Sequence, residues 1–216
     1  LSAILAFSAS SFAQTEPASG NSSSSGDSER LRFGIKAGYV LSNIRISGDS
    51  YSSIAIASQT KVEHGNGFYV GGTVTMPLGY GFSVQSGLSL ITKGAYFTQD
   101  VLFPDGLTTA LGTITTKYKP MYLEIPVNLI GAYPIGKVNV YYGVGPFIAF
   151  GIGGKLDRTV TSSNSDLVTA LAENGIQTEN RTVKYGSDKD MRSIDFGANI
   201  LLGVKIGSKL GIDASY

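Results

Sequence analysis

The stretch Val138-Asn139-Val140-Tyr141-Tyr142-Gly143-Val144-Gly145-Pro146-Phe147-Ile148-Ala149-Phe150-Gly151-Ile152-Gly153 decides the fold of this chain. Taken two residues at a time, Val138, Val140, Tyr142, Val144, Ile148, Phe150 and Ile152 form an apolar row. The other row holds Asn139 and glycines at 143, 145, 151 and 153. A period of two marks a β-strand with two unlike faces. In a water-soluble barrel the apolar row would point inward and the glycines would lie in solvent, where they weaken a strand and contribute no packing. A narrow barrel in lipid inverts the arrangement. The apolar row then faces the acyl chains, and the glycines make room across a lumen that barely accommodates side chains.

Working outward, the same beat returns in both directions. Upstream, Leu123, Ile125, Val127, Leu129 and Tyr133 alternate with Glu124, Pro126 and Asn128. Phe82, Val84, Leu88, Leu90 and Tyr96 oppose Ser83, Gln85, Gly87, Ser89 and Lys93, and the segments 68–78 and 33–42 repeat the pattern. Downstream, Ile194, Phe196, Ala198, Ile200, Leu202 and Val204 alternate with Asp195, Gly197, Asn199 and Lys205, and residues 210–216 open one more segment. The spacing predicts seven strands of an all-β, up-and-down antiparallel membrane β-barrel. Connections alternate between long (45–66, 98–117, 156–190) and short (77–81, 133–137, 206–209). Outer-membrane barrels have short periplasmic turns and long external loops, which fixes the predicted topology. Within the last long connection, Ser165 as N-cap, Leu167 and Leu171 four apart, and Gly175 as a stop predict a short amphipathic helix.

The 216 residues carry a net charge of +1 and no cysteine, which excludes a disulfide framework, a thiolate metal site and a cysteine nucleophile. Near-neutral charge gives no reason to expect nucleic acid as a partner. No apolar run reaches the ~20 residues of a membrane helix. Residues 1–13 are apolar and small, and Ser11-Phe12-Ala13 before Gln14 offers a signal-peptidase site, so they read as a signal-peptide remnant. Residues 14–30, rich in Ser and Gly, read as a flexible linker, leaving 31–216 as the barrel domain. Bacterial barrels have an even number of strands. Eight are therefore expected, with the C-terminal strand missing and the edge at 210–216 unfinished.

Six charges fall on the inward parity: Lys36, Lys93, Glu124, Asp195, Lys205 and Asp213. Their signs balance, and buried charges require partners. Strand direction sets Lys93, Glu124 and Asp195 in the external half and Lys36, Lys205 and Asp213 in the periplasmic half. The expectation is a two-tier network that plugs the lumen, with Lys93 paired to Glu124 on the neighbouring strand. Phe33, Phe82 and Tyr133 near the short turns, and Tyr39, Phe68, Tyr96 and Phe150 near the long loops, form two aromatic belts at interfacial depth. His64, the one histidine, has Glu63 beside it but no spacing that identifies an acid or nucleophile. The run 151–155 lacks the first glycine and the Ser/Thr of a phosphate loop, and Asp188 and Asp190 read as solvated loop charges. No catalytic, cofactor-binding or metal-ligating residue is therefore assigned, and the expected protein is not an enzyme.

The runs Tyr122-Leu123-Glu124-Ile125-Pro126-Val127, Gly143-Val144-Gly145-Pro146-Phe147, Asp195-Phe196-Gly197 and Phe82-Ser83-Val84-Gln85 resemble the small outer-membrane barrels of the Bacteroidetes known as the PorT family or outer-membrane beta-barrel domain group. The resemblance implies an eight-stranded barrel in the outer membrane; the family's namesake serves gliding and type IX secretion. Members often carry a carboxylate where this chain has Gly87 and an Arg where it has Ser215, which implies that one luminal ion pair is absent here. The expected partners are outer-membrane lipid and envelope or secretion-machinery proteins. Two alternatives remain at this stage. One is a soluble lipocalin-like carrier of an apolar ligand, and the other a small outer-membrane hydrolase using His64.

Overall fold

The structure is a computed structural model that describes residues 3–13, 31–43, 60–102, 110–187, 189–207 and 210–216. The expected linker at 14–30 and Asp188 lie outside them. In chain order the elements are β1 (Ala3–Ala13), β2 (Arg32–Asn43), β3 (Thr60–Gly79), β4 (Phe82–Thr92), β5 (Ala95–Leu102), β6 (Ala110–Ile135), β7 (Val138–Ser162), α1 (Ser165–Glu173), β8 (Glu179–Thr182), β9 (Ile194–Ile206) and β10 (Leu210–Ser215). All strands belong to one antiparallel 10-stranded sheet. Setting aside β5 and β8, which lie beyond the barrel wall, the other eight pair in the cycle β1, β2, β3, β4, β6, β7, β9, β10 and back to β1.

Alternation places the apolar parity on the outside of this wall. Ile35 is 69% exposed, Phe196 79% and Ile200 63%, while Val40 and Ala149 on the inward parity are fully buried. Large apolar side chains are held outward along β2, β3, β4, β6, β7, β9 and β10, an arrangement that is unstable in water and stable against lipid. The lipocalin-like alternative required the opposite orientation. Short turns close one end, where Gly79, Gly81, Gly136 and Gly207 all take positive φ; Tyr80 between the first two does so as well.

Two expectations from the sequence are corrected. The edge of β10 is not unfinished, because Ala6–Ser11 of β1 pairs along it while β2 pairs along the other side of β1. Residues set aside as a leader thus form a strand of the sheet. The physical reason is the open edge itself: a row of unpaired N–H and C=O groups is completed by any extended segment of sufficient length. The long connections are also shorter than expected, because β6 runs for 26 residues and β7 for 25, against the ~9–11 that cross a bilayer. Their outer halves, with β5, β8 and the outer end of β3, continue the sheet beyond the barrel on the side opposite the short turns.

Helix α1 packs on this extension, with Leu171 buried against Val101 and Ile114 and with Leu167, Val160 and Ile176 around them. Its N-cap is Asn164 rather than Ser165: the Asn164 side-chain oxygen accepts from the backbone N–H groups of Asp166 and Leu167. Gly175 follows the helix at φ +77°, as the sequence predicts.

If β1 completes the wall, removing residues 1–13 should lower the temperature at which the folded band on an unboiled gel disappears. An unchanged transition would show that β10 and β2 do not depend on it.

Candidate functional site: the barrel lumen

The inward residues of β6, β7 and β9 stack in rows across three neighbouring strands. From the external side inward, the register aligns Glu124 with Ala149 and Asp195, then Pro126 with Phe147 and Gly197. Next come Gly145 with Asn199, then Ile130 with Gly143 and Leu201, and then Ala132 with Tyr141 and Gly203. Glycine in these rows serves close approach. A Cβ on Gly203 would lie 2.5 Å from the Tyr141 ring, and one on Gly197 would lie 2.9 Å from the Phe147 ring.

Lys93 enters the external half through a kink between β4 and β5. Its backbone N–H donates to the Pro120 carbonyl at 3.0 Å. The next residue, Gly94, donates to the Ser42 hydroxyl, which in turn donates to the Gly94 carbonyl, both at 2.7 Å. Only glycine fits there: a Cβ at Gly94 would sit 2.7 Å from the backbone of Asn66. The kink buries Lys93 to 3% exposure and brings its ammonium 2.6 Å from Asp195 Oδ2. The same ammonium lies 4.8 Å from the centre of the Tyr122 ring and 5.8 Å from that of Phe147, distances suited to cation–π attraction.

The expected pairing of Lys93 with Glu124 is corrected by this geometry. Glu124 lies opposite Ser89, four residues along β4 from Lys93 or about 13 Å. Asp195 stands level with Glu124 across the small Ala149, and the long lysine side chain reaches the farther carboxylate. Glu124 remains within electrostatic reach of both. In ring order β4 and β9 are three strands apart, so the Lys93–Asp195 pair crosses the lumen.

A second crossing lies in the periplasmic half. Lys36 Nζ is 3.2 Å from both carboxylate oxygens of Asp213, and Oδ2 also accepts from the Tyr141 hydroxyl at 2.8 Å. Asp213 is 3% exposed. The bridge runs from β2 through β10 to β7, and β2 and β7 are diametrically opposed in the cycle. Lys205 lies further toward the short turns, level with Asn139 of β7.

The external mouth is filled by a residue that sequence reasoning missed. Tyr185, from the segment after β8, donates its hydroxyl proton to the Gly153 carbonyl at 2.6 Å and accepts from the Met121 N–H at 3.1 Å. Its ring meets Tyr122 edge-on at 5.6 Å and occupies the space beside Gly151, where a Cβ would collide with it. Val40, Ile91, Tyr122 and Ala149, with Tyr69 and Phe147, complete an apolar plug beneath it. No period marks a loop tyrosine, and Tyr141 and Phe147, which share the glycine parity of β7, were passed over because the glycines made that face read as bare.

Arg181 and Asp190 clamp the base of the Tyr185 segment through two parallel hydrogen bonds of 2.5 and 2.7 Å, and the Lys184 N–H also donates to Asp190. Arg181 further contacts Glu179, which pairs with Arg158. Asp190 is therefore not the solvated loop charge expected from sequence. Its hydrogen bonds from Arg181 hold the carboxyl below the usual carboxylate range.

The belt residues Phe33, Phe82, Tyr133, Tyr39, Phe68 and Phe150 are exposed on the outer surface. Tyr96 is only partly exposed, with the Lys117 ammonium 5.9 Å from its ring centre. His64 is exposed on β3 opposite Ala95, and among the described residues no group of three acidic, His or Cys side chains could hold a metal.

Two outcomes are expected from this geometry. Lys93→Met and Asp195→Asn should each reduce stability in detergent by about 2 kcal/mol, because each leaves a partly buried charge unpaired, whereas Glu124→Gln should change it little. Equal effects of all three would contradict the pairing. The native pKa of Asp190 lies below its unfolded value, so the clamp contributes fully above the unfolded value and is lost as pH falls through the native one. Amide exchange at 183–187 should accelerate on acidification, and Asp190→Asn should make it fast at neutral pH.

Neither the curated proteins nor the solved structures yield a match. The family model described as outer membrane protein beta-barrel domain matches residues 12–216. That span takes in every strand of the wall except most of β1. With its apolar face outward and its backbone paired around the wall, this is an integral protein of the bacterial outer membrane. The chain belongs to the outer membrane protein beta-barrel domain family.

Proposed function

We infer that the protein is a non-enzymatic barrel with a plugged lumen, acting through its external sheet extension as a binding surface or as a component of an envelope assembly. The observation that carries this reading is the seat of Tyr185. An external segment inserts a ring into the mouth, bonds to the backbone of both β6 and β7, and rests on Tyr122, which rests on Lys93. Two cross-lumen bridges lie below it. A path for solutes would have to break all three.

The reading as a scaffold is further supported by the extension itself, where β5, β6, β7, β8 and α1 enclose their own apolar cluster. The resemblance to PorT-family barrels favours an assembly connected with secretion over a free-standing receptor. Secretion genes beside this gene would support that placement, and polysaccharide-uptake genes in their place would remove it. The hydrolase reading has less support. His64 sits on an exposed strand position, and Glu63 points to the opposite parity.

In planar bilayers the purified protein should give no large, steady channels at either polarity. Steady conductance comparable to an open pore would overturn the plugged lumen.

A further inference from the structure

On the outer face of the wall, beyond its apolar band, two lysines stand directly opposite one another. Lys119 of β6 and Lys155 of β7 are register partners, both are exposed, and among the described residues neither forms an ion pair. Cross-strand partners of this kind hold their Cβ atoms about 4.5–5.5 Å apart, and like charges so placed are destabilising. Lys117, one row further out, faces Asp157 and lies over the Tyr96 ring, so its charge is partly answered. Thr182 of β8, level with the lower pair, brings no charge. The bulge at Met121 and Tyr122 shifts β7 by one residue, which puts Lys155 on the same outward face as Phe150.

The apolar band below sets the level of this pair. From Tyr133 to Leu123, β6 rises about 25 Å along the membrane normal at the tilt usual for such strands, the full height of an outer-membrane apolar band. Leu123 is level with Phe150 and Ile194, and Met121 and Ile152 follow on the outer side. Lys119 comes two residues beyond Met121, about 7 Å further along the strand, in the layer that lipid headgroups occupy. Between them lies a notch: Gly153 faces Met121, and a Cβ on it would meet nothing within 4 Å. Above the lysines the same face carries hydroxyls, with Thr115 opposite Thr159 and Thr113 opposite Thr161. We propose that this face seats a phosphorylated glycolipid of the outer leaflet, with a headgroup phosphate between Lys119 and Lys155, acyl chains along Leu123, Phe150 and Ile152, and sugar hydroxyls toward the paired threonines. A phosphate held there removes the repulsion between the two ammonium groups. The paired threonines favour a sugar headgroup over a glycerol one, because they offer several hydroxyls at a regular spacing above the phosphate.

The seat lies outside the barrel, so it stands or falls separately from the plugged lumen. Native mass spectrometry of the detergent-solubilised full chain tests it with one probe at a time: a diphosphorylated, acylated glucosamine disaccharide, the same lipid without its phosphates, phosphatidylglycerol, and inorganic phosphate. The phosphorylated glycolipid should be retained most tightly, and less so as salt rises. Lys119→Gln and Lys155→Gln should each weaken its retention about five-fold, and the double variant roughly twenty-fold. The charge-preserving pair Lys119→Arg, Lys155→Arg should retain it, and Lys137→Gln, beside the Gly136 turn at the other end of the barrel, should leave it unchanged. Should a variant fail to give a folded band when unboiled, the comparison among probes on the wild-type protein still decides. Equal retention of the dephosphorylated lipid, of phosphatidylglycerol or of inorganic phosphate would overturn the proposal, as would a loss in Lys137→Gln equal to that in Lys119→Gln.

Discussion

At membrane depth there is no water to receive a backbone N–H or C=O, and every other feature of this molecule follows from that. The chain meets the requirement by antiparallel pairing that returns on itself, with β1 joining β10 to β2. Once the wall is paired in this way, each strand presents one face to lipid and one to an interior of fixed, small radius. The outer face can then be any apolar residue, which explains its mixed content of Ile, Val, Leu, Phe and Tyr. The inner face has far less freedom.

Inside, volume and charge are resolved row by row. Large residues occur opposite or beside glycine, as with Tyr141 over Gly203 and Tyr185 over Gly151. Charges occur where a partner on a distant strand can reach them, and the rows between are aromatic, amide or aliphatic. The two ion-pair crossings thereby act as ties between opposite walls. In a water-exposed setting such pairs contribute little, but Lys93 and Asp213 are held almost wholly out of solvent, where removal of a partner is costly.

Much of this was legible in the sequence because period-two alternation is a local property that lipid enforces on every strand. The seven strands, their outward face, the short turns at Gly79, Gly136 and Gly207, and the inward parity of Lys36, Lys93, Asp195 and Asp213 all follow from it. Pair identity did not, because it depends on register and on the kink at Lys93 and Gly94. That kink brings Gly94 against the backbone of Asn66 and into hydrogen bonds with Ser42, both far away in sequence. Residues 3–13 pair as a strand, which the sequence reading did not anticipate, because their small apolar composition suits a leader and a strand alike. The external halves of β6 and β7 were read as loops since both of their faces are polar or mixed, which erases the alternation once lipid no longer acts on one side.

The continuity of β6 and β7 from the Gly136 turn to the external tip has a mechanical consequence. Their register is interrupted only by a bulge at Met121 and Tyr122, with no flexible joint between the buried and the protruding halves. A pull on the tip away from the cell runs along the strand axes, so it loads the ladder in shear, with many hydrogen bonds sharing the force at once. A sideways push instead bends the hairpin at the rim, where Gly154 takes a φ of +135° and the Tyr185 hydroxyl bonds across both strands. Tension is therefore shared by the whole ladder, whereas a bending load falls on the few bonds at the mouth of the barrel.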